Sequence, residues 1–143
     1  MARKSEVTAA TVRARQMMVG ALVLSHVVGF SLMGLAFALD GADALLTVAL
    51  GFAAVVIFYA VGQALEVVAT EMEPTQGLGL VLLSYAVRVV GIAAGLWGIL
   101  SLEQVAPRIS DGWLVASVTA TVLGWVTGVV VVASRQRVPI YDS

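Results

Sequence analysis

Residues Leu78–Leu102 read LGLVLLSYAVRVVGIAAGLWGILSL. This run is long and apolar enough to cross a bilayer core of about 30 Å, yet Arg88 sits near its middle. A charge at that depth costs about 2.5–3.5 kcal/mol on insertion scales, and more in simulation. The rest of the chain, or a partner, must therefore compensate it.

Working outward, the whole chain has the same character. Of 143 residues, 60% are hydrophobic and 12% charged, and the mean hydropathy is +1.00. Soluble domains carry about 45–50% apolar and about 25% charged residues, and a chain of this size cannot hide so much apolar surface from water. The formal net charge of −1 excludes a strongly basic nucleic-acid binder. With no cysteine and one histidine, thiolate chemistry, cysteine-ligated metals and histidine clusters are excluded.

Four apolar runs predict an all-α, polytopic membrane protein: four transmembrane helices, at about 17–39, 44–69, 78–102 and 113–133, in an antiparallel bundle. The first run is too long for a signal-peptide core and ends in Asp40, so it reads as a retained span. Residues 1–16 form a basic segment with room for a short interfacial helix, and 134–143 a polar tail. Asp40-Gly41-Ala42-Asp43 reads as a tight turn. Pro74, which disfavours helix in the residue before it, marks a polar hinge after the second span. Arg3, Lys4, Arg13, Arg15, Arg135 and Arg137 lie on the side of the two termini, against Arg108 on the other. The basic side is expected to be cytoplasmic. Trp113 and Tyr141 read as interface anchors.

In lipid, helices associate through small and polar residues. At helical spacing, Ser84, Arg88, Gly91, Gly95 and Gly98 share one face of the third run. Tyr59, Gln63, Glu66 and Thr70 share one stripe of the second. Leu22, His26, Gly29 and Met33 mark the first, and Ser117, Thr121, Gly124 and Gly128 the fourth. Gly91/Gly95 and Gly124/Gly128 are GxxxG pairs, read as internal seams ahead of contacts in a homo-oligomer. At about 1.5 Å per residue from the cytoplasmic ends, His26, Tyr59, Arg88 and Thr121 fall in one layer, whereas Glu66 lies about 12 Å below Arg88. That height makes Gln63 and Tyr59 the expected neighbours of Arg88, and a direct Glu66 pair needs both side chains stretched or a helix shifted. His26 is expected to hydrogen-bond a neighbouring helix, with a proton relay as the sharper alternative. Glu66, Glu71 and Glu73 form a carboxylate cluster at the hinge. It is a solvated acidic loop by default, and otherwise a Mg²⁺ site or a grip for a basic loop. No phosphate-binding loop, nucleophile elbow or zinc motif occurs, so no enzyme activity is expected.

Four runs in this length, basic ends and a polar hinge resemble ATP synthase protein I, closest to its high-GC actinobacterial versions. The resemblance rests on the Tyr59-to-Glu66 stripe, on Ser84-Tyr85-Ala86-Val87-Arg88-Val89-Val90 and on the tail from Arg135 to Asp142. It implies a bacterial cell-membrane protein without catalytic residues that assists assembly of the rotor ring of F-type ATP synthase from its c subunits, with a proposed Mg²⁺-linked role. Glu71 and Glu73 would then dock the rotor loops. A small four-span transporter or a Mg²⁺ or proton channel is the second reading; the absence of an acidic residue in the first run counts against four-span multidrug transporters. A scaffold for another complex is the third.

Overall fold

The computed structural model describes residues 8–136, and they are all-helical: α1 (Ala9–Ala69), α2 (Pro74–Leu100) and α3 (Asp111–Arg135), with one 3-10 turn at Ala106–Arg108 between the last two. All three helices are long and apolar enough to cross a membrane. Their outward side chains are apolar too, with Val89 70% exposed, Trp97 74% and Val115 66%. The expected contents of residues 1–7 and 137–143, including Tyr141, lie outside the described residues.

A straight helix of 61 residues would be about 90 Å long. The chain instead breaks inside α1 at Gly41, whose φ of 78° and ψ of −157° are non-helical. That backbone region is open essentially to glycine alone. The two limbs, 9–40 and 42–69, fold back on each other. Thr11 meets Thr70 at one end, Gly29 meets the Phe52 ring midway, and Ala36 packs with Ala44 and Val48 next to the break. The expected tight turn at 40–43 is thus a one-residue break within continuous helix. The amino-terminal helix is not a separate interfacial piece either: it starts at Ala9, capped by the Thr8 hydroxyl accepting from the Thr11 amide, and runs straight into the first apolar limb.

Side chains around the break fix where α3 begins. Trp113 Nε1 donates to Asp40 Oδ2 at 2.6 Å, so the expected interface anchor also locks the turn. Arg108 Nε donates to Asp43 at 2.7 Å. Buried Thr47 donates to the Asp43 carbonyl and accepts from the Ser110 amide. From there α3 runs antiparallel to the first limb and parallel to the second. Gly124 and Gly128 face Ser25 and Ala21 of the first limb, and Gly51 of the second faces Ser117.

α2 is placed differently. It packs on α1, and the contacts described lie on the second limb: Gly91 and Gly95 receive the Phe58 ring, and Gly62 faces Arg88. It shares no substantial interface with α3, and only Gly77 and Ser84 of its residues are buried. The architecture is therefore a packed trio of two α1 limbs and α3, with α2 attached to one side. Gly98, expected on the packing face, is exposed with open space where a side chain would go.

Candidate functional site: the Arg88–Glu66 pair and its groove

Local sequence places Arg88. The turn between α1 and α2 is short, with Glu73 capping position and Pro74 opening α2, as suits a proline whose missing N–H would be unpaired there anyway. Gly77 therefore lies directly against the Ala69 carbonyl. This tight return sets Ser84 opposite Glu66 and Arg88 opposite Gly62.

The central contact is an ion pair. Arg88 Nη1 lies 2.9 Å from Glu66 Oε1, with side-chain exposures of 11% and 22%. Ser84 Oγ donates to the same carboxylate oxygen at 2.8 Å. The expectation that Glu66 lies too low for this pair is corrected, for two physical reasons. The tight hinge sets Glu66 only about one helical turn, roughly 5.4 Å, from the level facing Arg88. Further, Cα–Cβ bonds tilt toward a helix's amino terminus. Because the second limb and α2 are antiparallel, that tilt points Glu66 and Arg88 toward each other.

The remaining surroundings of the guanidinium are aromatic and apolar. Its carbon lies 5.2 Å from the Tyr59 ring centre and 5.5 Å from that of Tyr85, a geometry in which ring faces attract a cation. Tyr59, an expected neighbour of Arg88, thus contributes its ring face. Gly62 makes the room: a Cβ there would lie 2.7 Å from Arg88 Nε and 3.1 Å from the Ser84 carbonyl. Nε and Nη2 are buried and find no acceptor among the described residues. They form the edge of the guanidinium suited to two parallel hydrogen bonds with a carboxylate or phosphate. The pair borders a groove of about 320 Å³ between α2 and α3, walled by Tyr59, Gln63, Tyr85, Val89 and Trp125. Trp125 is buried edge-on against Tyr59, 5.6 Å between centres. Gln63 lines this groove, and Arg88 reaches Glu66 directly.

Other predicted residues are elsewhere. His26 does not join Arg88: it packs edge-on against Phe52, 5.1 Å between ring centres, and Phe30, 5.8 Å. Its Nδ1 lies 2.6 Å from the Leu22 carbonyl of its own helix, not a neighbouring one. The three hinge carboxylates do not converge. Glu66 is turned to Arg88. Glu71 accepts hydrogen bonds from the hydroxyls of Thr11 and Thr8, the latter at 3.1 Å. Glu73 is exposed. No group of three His, Cys, Asp or Glu side chains able to hold a metal ion occurs among the described residues. The roles of Gly62, Tyr85 and the Thr8–Thr11 pair were not foreseen; pairing residues across the 70–73 turn sets Gly62 opposite Arg88, and i, i+3 spacing on one helix sets Tyr85 beside it.

Glu71 lies beyond the end of α1, outside the apolar segment. Its carboxyl is held below its ordinary value of 4.5, first by the Thr11 hydroxyl and then by that of Thr8. A carboxylate depressed by folding stabilises above its unfolded value and loses that effect as pH falls through the folded one. The melting-temperature gap between wild type and Glu71→Gln is therefore expected to shrink as pH falls below about 4.5. A gap that stays constant on acidification would show that the threonine contacts do not depend on the charge.

The fold and site together define an all-helical chain built for an apolar surrounding, with one partly buried ion pair beside a groove. Comparison with known proteins finds no matching family model, no matching curated protein and no matching solved structure.

Proposed function

We propose that this is a non-enzymatic, four-span protein of a bacterial cell membrane that holds a membrane subunit during assembly of a larger complex. The partner implied by the sequence resemblance is the rotor ring of F-type ATP synthase. The break at Gly41 supports four crossings: each limb of α1, at about 1.5 Å per residue, is longer than the roughly 30 Å bilayer core. Arg13, Arg15 and Arg135 cluster at one end of the helices, whereas Arg108 at the other is paired with Asp43. That asymmetry supports cytoplasmic termini.

One observation carries the assembly reading. α2 leans on a single neighbour and presents Leu82, Val89 and Trp97 outward, 62%, 70% and 74% exposed. Arg88 on the same helix borders an open groove with two donors unused. A helix held on one side offers its other side to a second protein. Glu73, exposed at the hinge, is free to meet a basic loop, whereas Glu71 is already engaged by the amino-terminal segment. The transporter reading gains less, since His26 lies apart from Tyr59 and Arg88.

The test is affinity purification of the tagged full-length protein from membranes solubilised in mild detergent. Rotor-ring subunits are expected in the eluate, reduced several-fold by Leu82→Phe with Trp97→Ala, which reshape the outer face of α2 away from the groove at Arg88. Ring subunits no more enriched than an unrelated membrane protein would sink the rotor reading.

A further inference from the structure

At the end of the helices that carries the basic residues, the start of α1 and the end of α3 border a second, open trough, about 690 Å³, lined by Val12, Val19, Gly20 and Val132 together with Arg15 and Arg135. The backbones are closest at one end of it, where Gly128 meets Gly20 and Ala21. Nearer the chain termini they are tied by the Gln136 amide, which donates to the Arg13 carbonyl and to Gln16 Oε1, both at 3.2 Å. Between these ties the helices leave the hollow. Neither Arg15 nor Arg135 is in an ion pair among the described residues. Glu71, the carboxylate that feels Arg15, is occupied by two threonines, and one carboxylate cannot neutralise two guanidinium groups.

We propose that this trough is a specific site for an anionic phospholipid, one acyl chain lying along Val12, Val19 and Val132 and the phosphate held between Arg15 and Arg135. The volume is that of a small-molecule site. A largely apolar trough with two cations in its lining matches a molecule that is apolar along its length and anionic at its head, and guanidinium groups take phosphate oxygens in pairs. Basic pockets between membrane helices recognise anionic headgroups by this chemistry. The site is independent of the groove at Arg88 and of the assembly reading.

The full-length protein in detergent is titrated with phosphatidylglycerol or with phosphatidylcholine of the same acyl chains, and bound lipid is counted by native mass spectrometry. Phosphatidylglycerol is expected to be retained about tenfold more strongly, since each cation near an anionic headgroup contributes several-fold. Arg15→Gln with Arg135→Gln removes the preference, and Arg15→Lys with Arg135→Lys keeps most of it. Val19→Trp leaves both charges, fills the trough and lowers retention. Equal retention of the two lipids by the wild-type protein overturns the proposal. So does full retention by Val19→Trp, or displacement by glycerol phosphate without acyl chains, either of which would reduce the site to a surface anion contact. If the glutamine pair does not fold, the lysine pair and Val19→Trp decide the matter.

Discussion

Glu66→Ala is expected to lower the stability of the detergent-solubilised protein by about 3 kcal/mol, the lower end of the range for removing one partner of a buried ion pair, because this pair is only partly buried. The substitution leaves Arg88, 11% exposed, without a carboxylate, while Ser84 keeps the Val81 carbonyl as its acceptor. Two of the guanidinium nitrogens already lack partners, so nothing nearby takes over the charge. The double variant Glu66→Met with Arg88→Met is expected to recover most of the loss, because apolar side chains of similar volume often replace a buried pair at little cost. Thermal unfolding of the three proteins checks this. If Glu66→Ala melts with the wild type, or the double variant melts no higher than Glu66→Ala, the pair does not lock α2 to α1.

The second large effect is expected at Gly128. A Cβ there would lie 2.6 Å from Ala21 Cα, 2.6 Å from the Gly20 carbonyl oxygen and 2.9 Å from the Ala21 nitrogen. All three are backbone atoms, so no side-chain rotation relieves the clash, and α3 must move off the first limb. Gly128→Val is expected to destabilise by about 3 kcal/mol, the upper part of the range for overpacking. Gly98→Val is the matched control, with open space around it, and is expected to be close to neutral. Melting temperatures that fall equally for both would show that the α1–α3 contact is not the tight one.

These two sites show what the sequence could and could not convey. The helices were legible from apolar runs, and Gly124/Gly128 and Gly91/Gly95 were legible as seams from their spacing. Each pair does receive a neighbour inside the chain. Spacing alone cannot say how many neighbours a helix has, so α2 read as a full bundle member although it touches one side only. Gly98, on the same stripe as Gly91 and Gly95, meets nothing, so a shared stripe does not specify how far along the helix the contact runs. The Arg88 partner was hidden by an arithmetic of heights. Counting residues from assumed span ends ignores how tightly the chain returns at Glu73 and Pro74, and which way antiparallel side chains lean. His26 looked equivalent to Arg88 by depth, yet depth does not specify azimuth, and its ring faces Phe52.

The direction of the Arg88–Glu66 pair along the chain also bears on biogenesis. A helix carrying a lone arginine partitions poorly from the translocon into lipid. Here the carboxylate belongs to the preceding helix and leaves the ribosome first, so α2 emerges next to a counter-charge that is already waiting. The hairpin around Pro74 is thus the smallest unit that enters the bilayer with its charges matched, and a truncation that begins after Glu66 should stall at insertion rather than at folding.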